Sequence, residues 1–187
     1  MPRGRKLPRF LTMEEVKHMI AVSAKNKRDS IIIKCLFYLG LRNSELRTLR
    51  VDDIDFINRT VKVVQGKGKK DRYVPIPTKE FAAEIRSWAG KRTQGLLIEG
   101  RGTDNMLSDR HTRRIVKRYA MEAGIRKPEE IHPHTLRHSY ATHLQNQGLP
   151  LNYIQQVLGH ERIETTTVYV HLGVERLRDQ IEKAFKI

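Results

Sequence analysis

The sequence predicts a mainly α-helical domain with one small antiparallel β-sheet, an α+β fold. Two observations carry this. Most of the chain sets apolar residues at helical spacing between recognisable caps, whereas residues 60–76 switch to β-rich runs around a glycine-rich turn. At 187 residues the chain is long enough for one ordinary domain with a real core and too short for two comfortable ones.

Residues 1–11, rich in Pro, Arg and Lys, read as a linker or arm, and residues 12–187 as the domain. Thr12 and Glu15 have capping-box spacing and open a helix to about residue 24. A second helix is predicted over about 28–39, with Ile31, Ile32, Cys35, Leu36 and Leu39 on one broad face and Gly40 ending it. Asn43 is placed to cap a short third helix carrying Glu45, Leu46 and Leu49. Thr60 to Val64 and Arg72 to Ile76 then read as a hairpin whose tip holds Gly66, Lys67, Gly68, Lys69, Lys70 and Asp71.

Thr78 caps a helix to about residue 89, and residues 95–102 read as a short extended piece and loop. Ser108 caps a helix to about residue 123, stopped by Gly124. Further helices follow at about 133–146 and 150–158, the latter opened by Pro150 and closed by Gly159. A short helix at about 163–170 and a C-terminal one at about 174–185 complete the chain. The stripe Val174, Leu177, Ile181 and Phe185 predicts a docking element rather than a part of the domain's own core. Such a stripe fits a groove of its own domain or of a neighbour, and side chains alone do not choose.

Thirty-six Lys and Arg against 21 Asp and Glu leave a net charge of +15, spread along the chain. A surplus of this size predicts a polyanionic partner, nucleic acid by default; the plain alternative is a cationic surface that serves solubility. No apolar run approaches the ~18 residues a membrane span needs. The N-terminus is basic but is followed by no apolar segment of the secretory kind. Cys35, the only cysteine, lies in an apolar run and reads as a buried small hydrophobe. These features predict an intracellular, cytoplasmic protein.

The chemistry concentrates in two segments, HPHTLRHSYATH from residue 132 and LGHERIETTTVYVH from residue 158, with two outlying contributors. Together they supply Arg42, Lys67, His134, Arg137, His160 and Tyr169. That set suits the breaking of a phosphodiester. Arginine forks hold the non-bridging oxygens, lysine or histidine moves the protons, and a phenol becomes the covalent carrier. No metal or cofactor is required if arginines do the electrostatic work. His134 and Arg137 are three apart on one helix and share a face, while Leu136, Tyr140 and Leu144 face the core. His160 follows a glycine corner, and Tyr169 follows β-branched residues that make a poor helix.

The blocks GLRNSEL, QGKGKKDRYVPIP, HTLRHSYATHL and LGHERIETTTVYVH resemble the catalytic domain of tyrosine recombinases, the integrase family, and most of all its Xer-type branch. The resemblance covers about residues 10–185 and implies the fold of that domain. It implies strand cleavage through a 3′-phosphotyrosyl link and attack by a partner strand's 5′-hydroxyl, on duplex DNA in tetramers, without cofactor or metal. Matched by motif, Arg42 and Arg137 would clamp the phosphate, Lys67 would protonate the leaving 5′-oxygen, and His134 would act as acid and base. His160 would bond a non-bridging oxygen, Tyr169 would attack, and Glu45 would hold the site together. The family's separate N-terminal helical domain is not matched, so the chain is expected to be a fragment or a short form. Strand nicking and resealing of the type IB topoisomerase kind shares the chemistry, and DNA binding with little catalysis is the remaining alternative.

Several plainer readings accompany these. Lys69 or Lys70 could contribute in place of Lys67, Tyr169 could be a core tyrosine, and His134 with His138 has the spacing of a metal pair but lacks the accompanying ligands. His138 and His143 read as helix residues satisfied by local hydrogen bonds. Arg3, Arg5, Lys6 and Arg9 read as a disordered arm that touches DNA when DNA is present.

Overall fold

The computed structural model describes residues 9–64, 71–100, 105–159 and 170–185, with side chains in the last stretch from Leu177 onward. Among these, eight helices surround a three-stranded sheet. α1 (Met13–Ser23) opens on the predicted capping box: Glu15 N–H donates to Thr12 Oγ1 at 3.2 Å and Thr12 N–H to Glu15 Oε2 at 2.8 Å. α2 (Lys27–Tyr38) is capped by Asn26, whose Oδ1 accepts from Asp29 N at 3.1 Å. Ile31, Ile32, Ile33, Cys35, Leu36 and Phe37 are all buried, so α2 is wrapped almost all round rather than on one face. It is the axis against which α1, α4 (Lys79–Ala89) and α6 (Pro133–Asn146) pack.

α3 (Asn43–Thr48) starts at the expected cap residue itself, and its cap is the residue before, Arg42. The reason is Glu45, whose carboxylate takes the backbone N–H of Arg42 at 2.7 Å and so makes Arg42 the N-cap residue. Asn43 turns inward instead and donates to Asp109 Oδ1 at 2.6 Å. After a 3-10 turn at Val51–Asp53 come β1 (Ile54–Asp55), β2 (Thr60–Val63) and β3 (Arg72–Pro75), antiparallel in the order β1-β2-β3. The hairpin register pairs Thr60 with Pro75 and Val63 with Arg72. β1 has no counterpart in the sequence reading, since two residues are too few to show a period. The predicted extended piece near residue 96 is present: Leu97 N donates to Leu49 O and Val51 N to Gly95 O, both at 2.8 Å.

α4 and α5 (Asp109–Glu122) begin at their predicted caps, Thr78 and Ser108, each accepting a first-turn N–H at 3.1 Å. α6 carries Pro133 in its first turn and buries Leu136, Tyr140 and Leu144 completely, as expected. α7 (Leu151–Leu158) ends at Gly159 in a left-handed conformation (φ 67°).

The C-terminal helix departs from the reading in where it begins. α8 spans Val170–Phe185, so it starts before residue 174 and runs through Gly173; the remainder of the predicted 163–170 helix lies outside the described residues. A glycine inside a helix costs about 1 kcal/mol, which burial of Leu177, Ile181 and Phe185 outweighs. These three, with Ala184, join the same core as α2 and α6, so of the two grooves the stripe fits, α8 here fills that of its own domain. Phe185 lies among Phe37, Tyr38, Tyr140 and His143, with ring centroids 4.7–6.1 Å away. His143 reaches Ala184 O at 2.8 Å, so its partner is the distant α8 rather than a local group. Outside the core, Arg59 pairs with Glu182, and Arg178 donates to Asn58 O. None of the described helices is long and apolar enough to cross a membrane.

Candidate active site

The end of α2, the start of α3, β3, α6 and the end of α7 converge on one carboxylate. Glu45 Oε1 accepts from Arg42 Nη1 and Arg72 Nη1, both at 2.8 Å, and Glu45 Oε2 accepts from Arg72 Nη2 at 2.8 Å. Arg137 Nη1 stands 3.7 Å from Oε2. Three guanidiniums therefore share a single negative charge. Burial alone pushes the Glu45 carboxyl up, but hydrogen bonds and charge from Arg72, then Arg42, outweigh it and hold the group at about 2.

Arg137 is 7% exposed and is held by main-chain oxygens, donating to Gly40 O at 2.5 Å and to Leu158 O. The Gly40 carbonyl is available because that residue turns out of α2 with φ +56°, close against the Tyr140 ring. Burial, reinforced by the like charge of Arg42, lowers the Arg137 guanidinium to about 10. It stays charged at neutral pH in a place that disfavours the charge, and an anion beside it relieves that cost. Arg42, near the surface, donates to Gly159 O at 3.1 Å. Each guanidinium has five N–H donors in a fixed fork, more than these bonds employ among the described residues.

His134 is exposed on the first turn of α6. Its pKa is lowered, first by desolvation and then by the positive charges of Arg137, Arg113, His138 and Arg42, so the neutral ring prevails at neutral pH. His138 is exposed next to it. Among the described residues no three His, Cys, Asp or Glu side chains gather as a metal site would need.

The structure thus brings together Arg42, Glu45, Arg137 and His134 out of the predicted set. Lys67, His160 and Tyr169 lie outside the described residues, as do Lys69, Lys70, Arg3, Arg5 and Lys6. Arg9 is not a loose arm residue: its guanidinium donates to Lys127 O at 3.0 Å and to Glu130 Oε2 at 3.2 Å. Two features escaped the sequence reading. One is Arg72, whose signal was its phase, since it alternates with buried Val74 and Ile76 and a buried cation needs a carboxylate. The other is α5, which turns Arg110, Arg113, Arg114, Lys117 and Arg118 outward and puts Arg113 within electrostatic reach of His134.

Comparison with known proteins matches this architecture. The sequence matches the Phage integrase family over residues 9–176. It is 44% identical over 185 residues to the tyrosine recombinase XerA of Thermococcus kodakarensis, covering 96% of this chain and 64% of that protein. The crystal structure of XerA recombinase superposes with a TM-score of 0.75 at 28% identity, over 97% of this chain and 67% of that one. The XerH site-specific recombinase bound to difH substrate gives 0.70 at 25% identity, over 91% and 55% of the two chains. The chain spans 62% to 64% of the length of the first two curated relatives. With the family matched across most of its length and the fold shared with two recombinases, the chain belongs to the phage integrase family, the tyrosine recombinases.

Proposed function

We propose that this chain cuts and rejoins duplex DNA in site-specific recombination, through a 3′-phosphotyrosyl intermediate and without a metal or cofactor. The observation that carries this reading is the cluster of three guanidiniums around Glu45, a positive site built inside the fold with one carboxylate to balance it. The five-coordinate, doubly anionic phosphorus that develops when a phosphodiester is attacked is what such a site stabilises.

In this mechanism the Tyr169 phenol oxygen bonds to phosphorus and the bond to the 5′-oxygen breaks. The phenol proton passes to His134, whose lowered pKa keeps it neutral and able to accept. Lys67 protonates the departing 5′-oxygen. Arg42 and Arg137 hold two non-bridging oxygens and His160 bonds one of them. A 5′-hydroxyl from the partner strand then attacks the phosphotyrosine and gives its proton back to Lys67, and the phenol leaves with the proton that His134 held. Exchange between two duplexes takes four cuts, hence four protomers on DNA. α8 would leave its own domain and dock on a neighbour in that assembly, so that placing Tyr169 depends on a second copy. The outward face of α5 and the basic arm Arg3, Arg5 and Lys6, with Lys69 and Lys70, would lie along the phosphates.

A pool of randomised duplexes, nicked so that the cut fragment diffuses away, tests the reading. A protein–DNA adduct that survives denaturation is expected, and joining of the trapped strand to a second duplex. An adduct without joining leaves nicking and resealing alone, of the type IB topoisomerase kind. Duplex binding with no adduct rejects the chemistry.

A further inference from the structure

Three successive carbonyls at the end of α7 each receive a guanidinium from a different element. Val157 O accepts from Arg72 Nε at 2.7 Å, Leu158 O from Arg137, and Gly159 O from Arg42 Nη2 at 3.1 Å. The last carbonyls of a helix have no partner within it, and the aligned peptide dipoles make that end negative. α7 therefore anchors all three arginines, and Arg72 uses its remaining two nitrogens to grip Glu45 fork to fork. It also stands in the last described pair of the hairpin, opposite Val63, at the root of the tip.

We infer that Arg72 is a positioning residue, which locks the hairpin root, α3 and the end of α7 together and so sets where Arg42 and Arg137 present their donors to a phosphate. The inference rests on the proposed strand-transfer chemistry for the identity of that phosphate. Two arguments favour orientation over mere stability. A buried ion pair stabilises a fold no better than well-packed apolar side chains, so stability alone does not require this one. More directly, Arg72 occupies both Glu45 oxygens. Without it, that carboxylate is free to draw Arg137 Nη1 in from 3.7 Å and to pull the clamp towards itself. In the chain, Lys67 lies between β2 and β3 and His160 follows α7, so both are joined to elements that Arg72 holds.

Arg72→Gln removes charge and fork together, while Arg72→Lys keeps the charge alone. At saturating amounts of the randomised nicked duplex, the cleavage rate of both variants is expected to fall about 10²-fold or more. Duplex affinity should stay within about threefold of wild type, because it rests on many separate phosphate contacts. A lysine variant that cleaves within a few-fold of wild type overturns the inference. So do rate and affinity that fall together with the folded fraction, and so does failure of both variants to fold. A wild-type chain that forms no adduct counts against the strand-transfer reading alone. The clamp is then read from the rise in melting temperature given by inorganic phosphate over chloride of equal ionic strength. Both variants should lose at least half of that rise; an undiminished rise, or none in the wild-type chain, overturns the inference.

Discussion

Phe185 lies stacked on Tyr140, with ring centroids 6.1 Å apart and planes 15° from parallel. Tyr140 in turn lies so close to Gly40 that a Cβ there would stand 2.5 Å from its ring. Gly40's carbonyl is one of the two main-chain acceptors of Arg137. Packing therefore links the C-terminal helix to a guanidinium of the candidate site through two intermediate residues.

Gly40→Ala should be costly for a single methyl group. The left-handed backbone there adds about 1–2 kcal/mol of strain, and crowding a rigid buried ring adds about 1–3 kcal/mol. Urea unfolding is expected to show a loss of about 2–5 kcal/mol. A change below about 0.5 kcal/mol, the usual size for an uninvolved surface position, would mean that Tyr140 gives way and the link is loose.

Phe185→Ala tests whether α8 sits on its own domain in solution. Truncating a buried phenylalanine costs about 3–5 kcal/mol, and Phe185 is 7% exposed within a five-ring cluster. A loss near the lower figure is expected for the free chain, read from the unfolding midpoint. An unchanged midpoint would place α8 off its own domain.

Glu45 gives the fold an acid limit. Its carboxyl is held at about 2 in the fold against an ordinary value of 4.5. A depressed carboxyl contributes stability that is fully present above its unfolded pKa and is lost as pH falls towards the folded one. The contribution should therefore be intact above about pH 5 and decline between there and about pH 2. For a group this buried it amounts to about 3 kcal/mol. Comparing urea midpoints of wild type and Glu45→Gln at pH 5.5 and pH 3 checks it. The wild type should lose more on acidification, and parallel losses would show that Glu45 is ordinary in the fold.

Arg137→Lys should damage cleavage nearly as much as Arg137→Ala. Lysine keeps the charge but cannot bridge Gly40 O and Leu158 O while presenting two more donors to a phosphate. Removing one such donor costs about 10²–10³ in rate. Single-turnover cleavage within a few-fold of wild type would contradict the clamp.

What could be read from the sequence was mostly local chemistry. The caps Thr12, Thr78 and Ser108 act within three residues of themselves, so their helices start where expected. Arg42, His134 and Arg137 were found through short motifs, and the fold places them together. Long-range matters were harder. Arg72 finds Glu45 27 residues away, and nothing near it in the chain names that partner. Asn43 looked like a cap because the competing carboxylate of Glu45 acts through Arg42's main chain. The stripe Leu177, Ile181 and Phe185 marked an apolar face correctly, but the groove that receives it is built by Phe37, Tyr38 and Tyr140 from two other helices.

In the proposed mechanism a phenol on this chain carries the DNA strand, and one measurement tests this directly. Wild type and Tyr169→Phe are each incubated with the randomised nicked duplexes in excess EDTA, and adducts are counted after denaturation alongside duplex affinity. The wild-type chain should form the adduct despite the chelator, and the phenylalanine variant should form none while binding duplex as well as wild type. An adduct from Tyr169→Phe, or a wild-type adduct that disappears with EDTA and returns with added metal, would contradict the account.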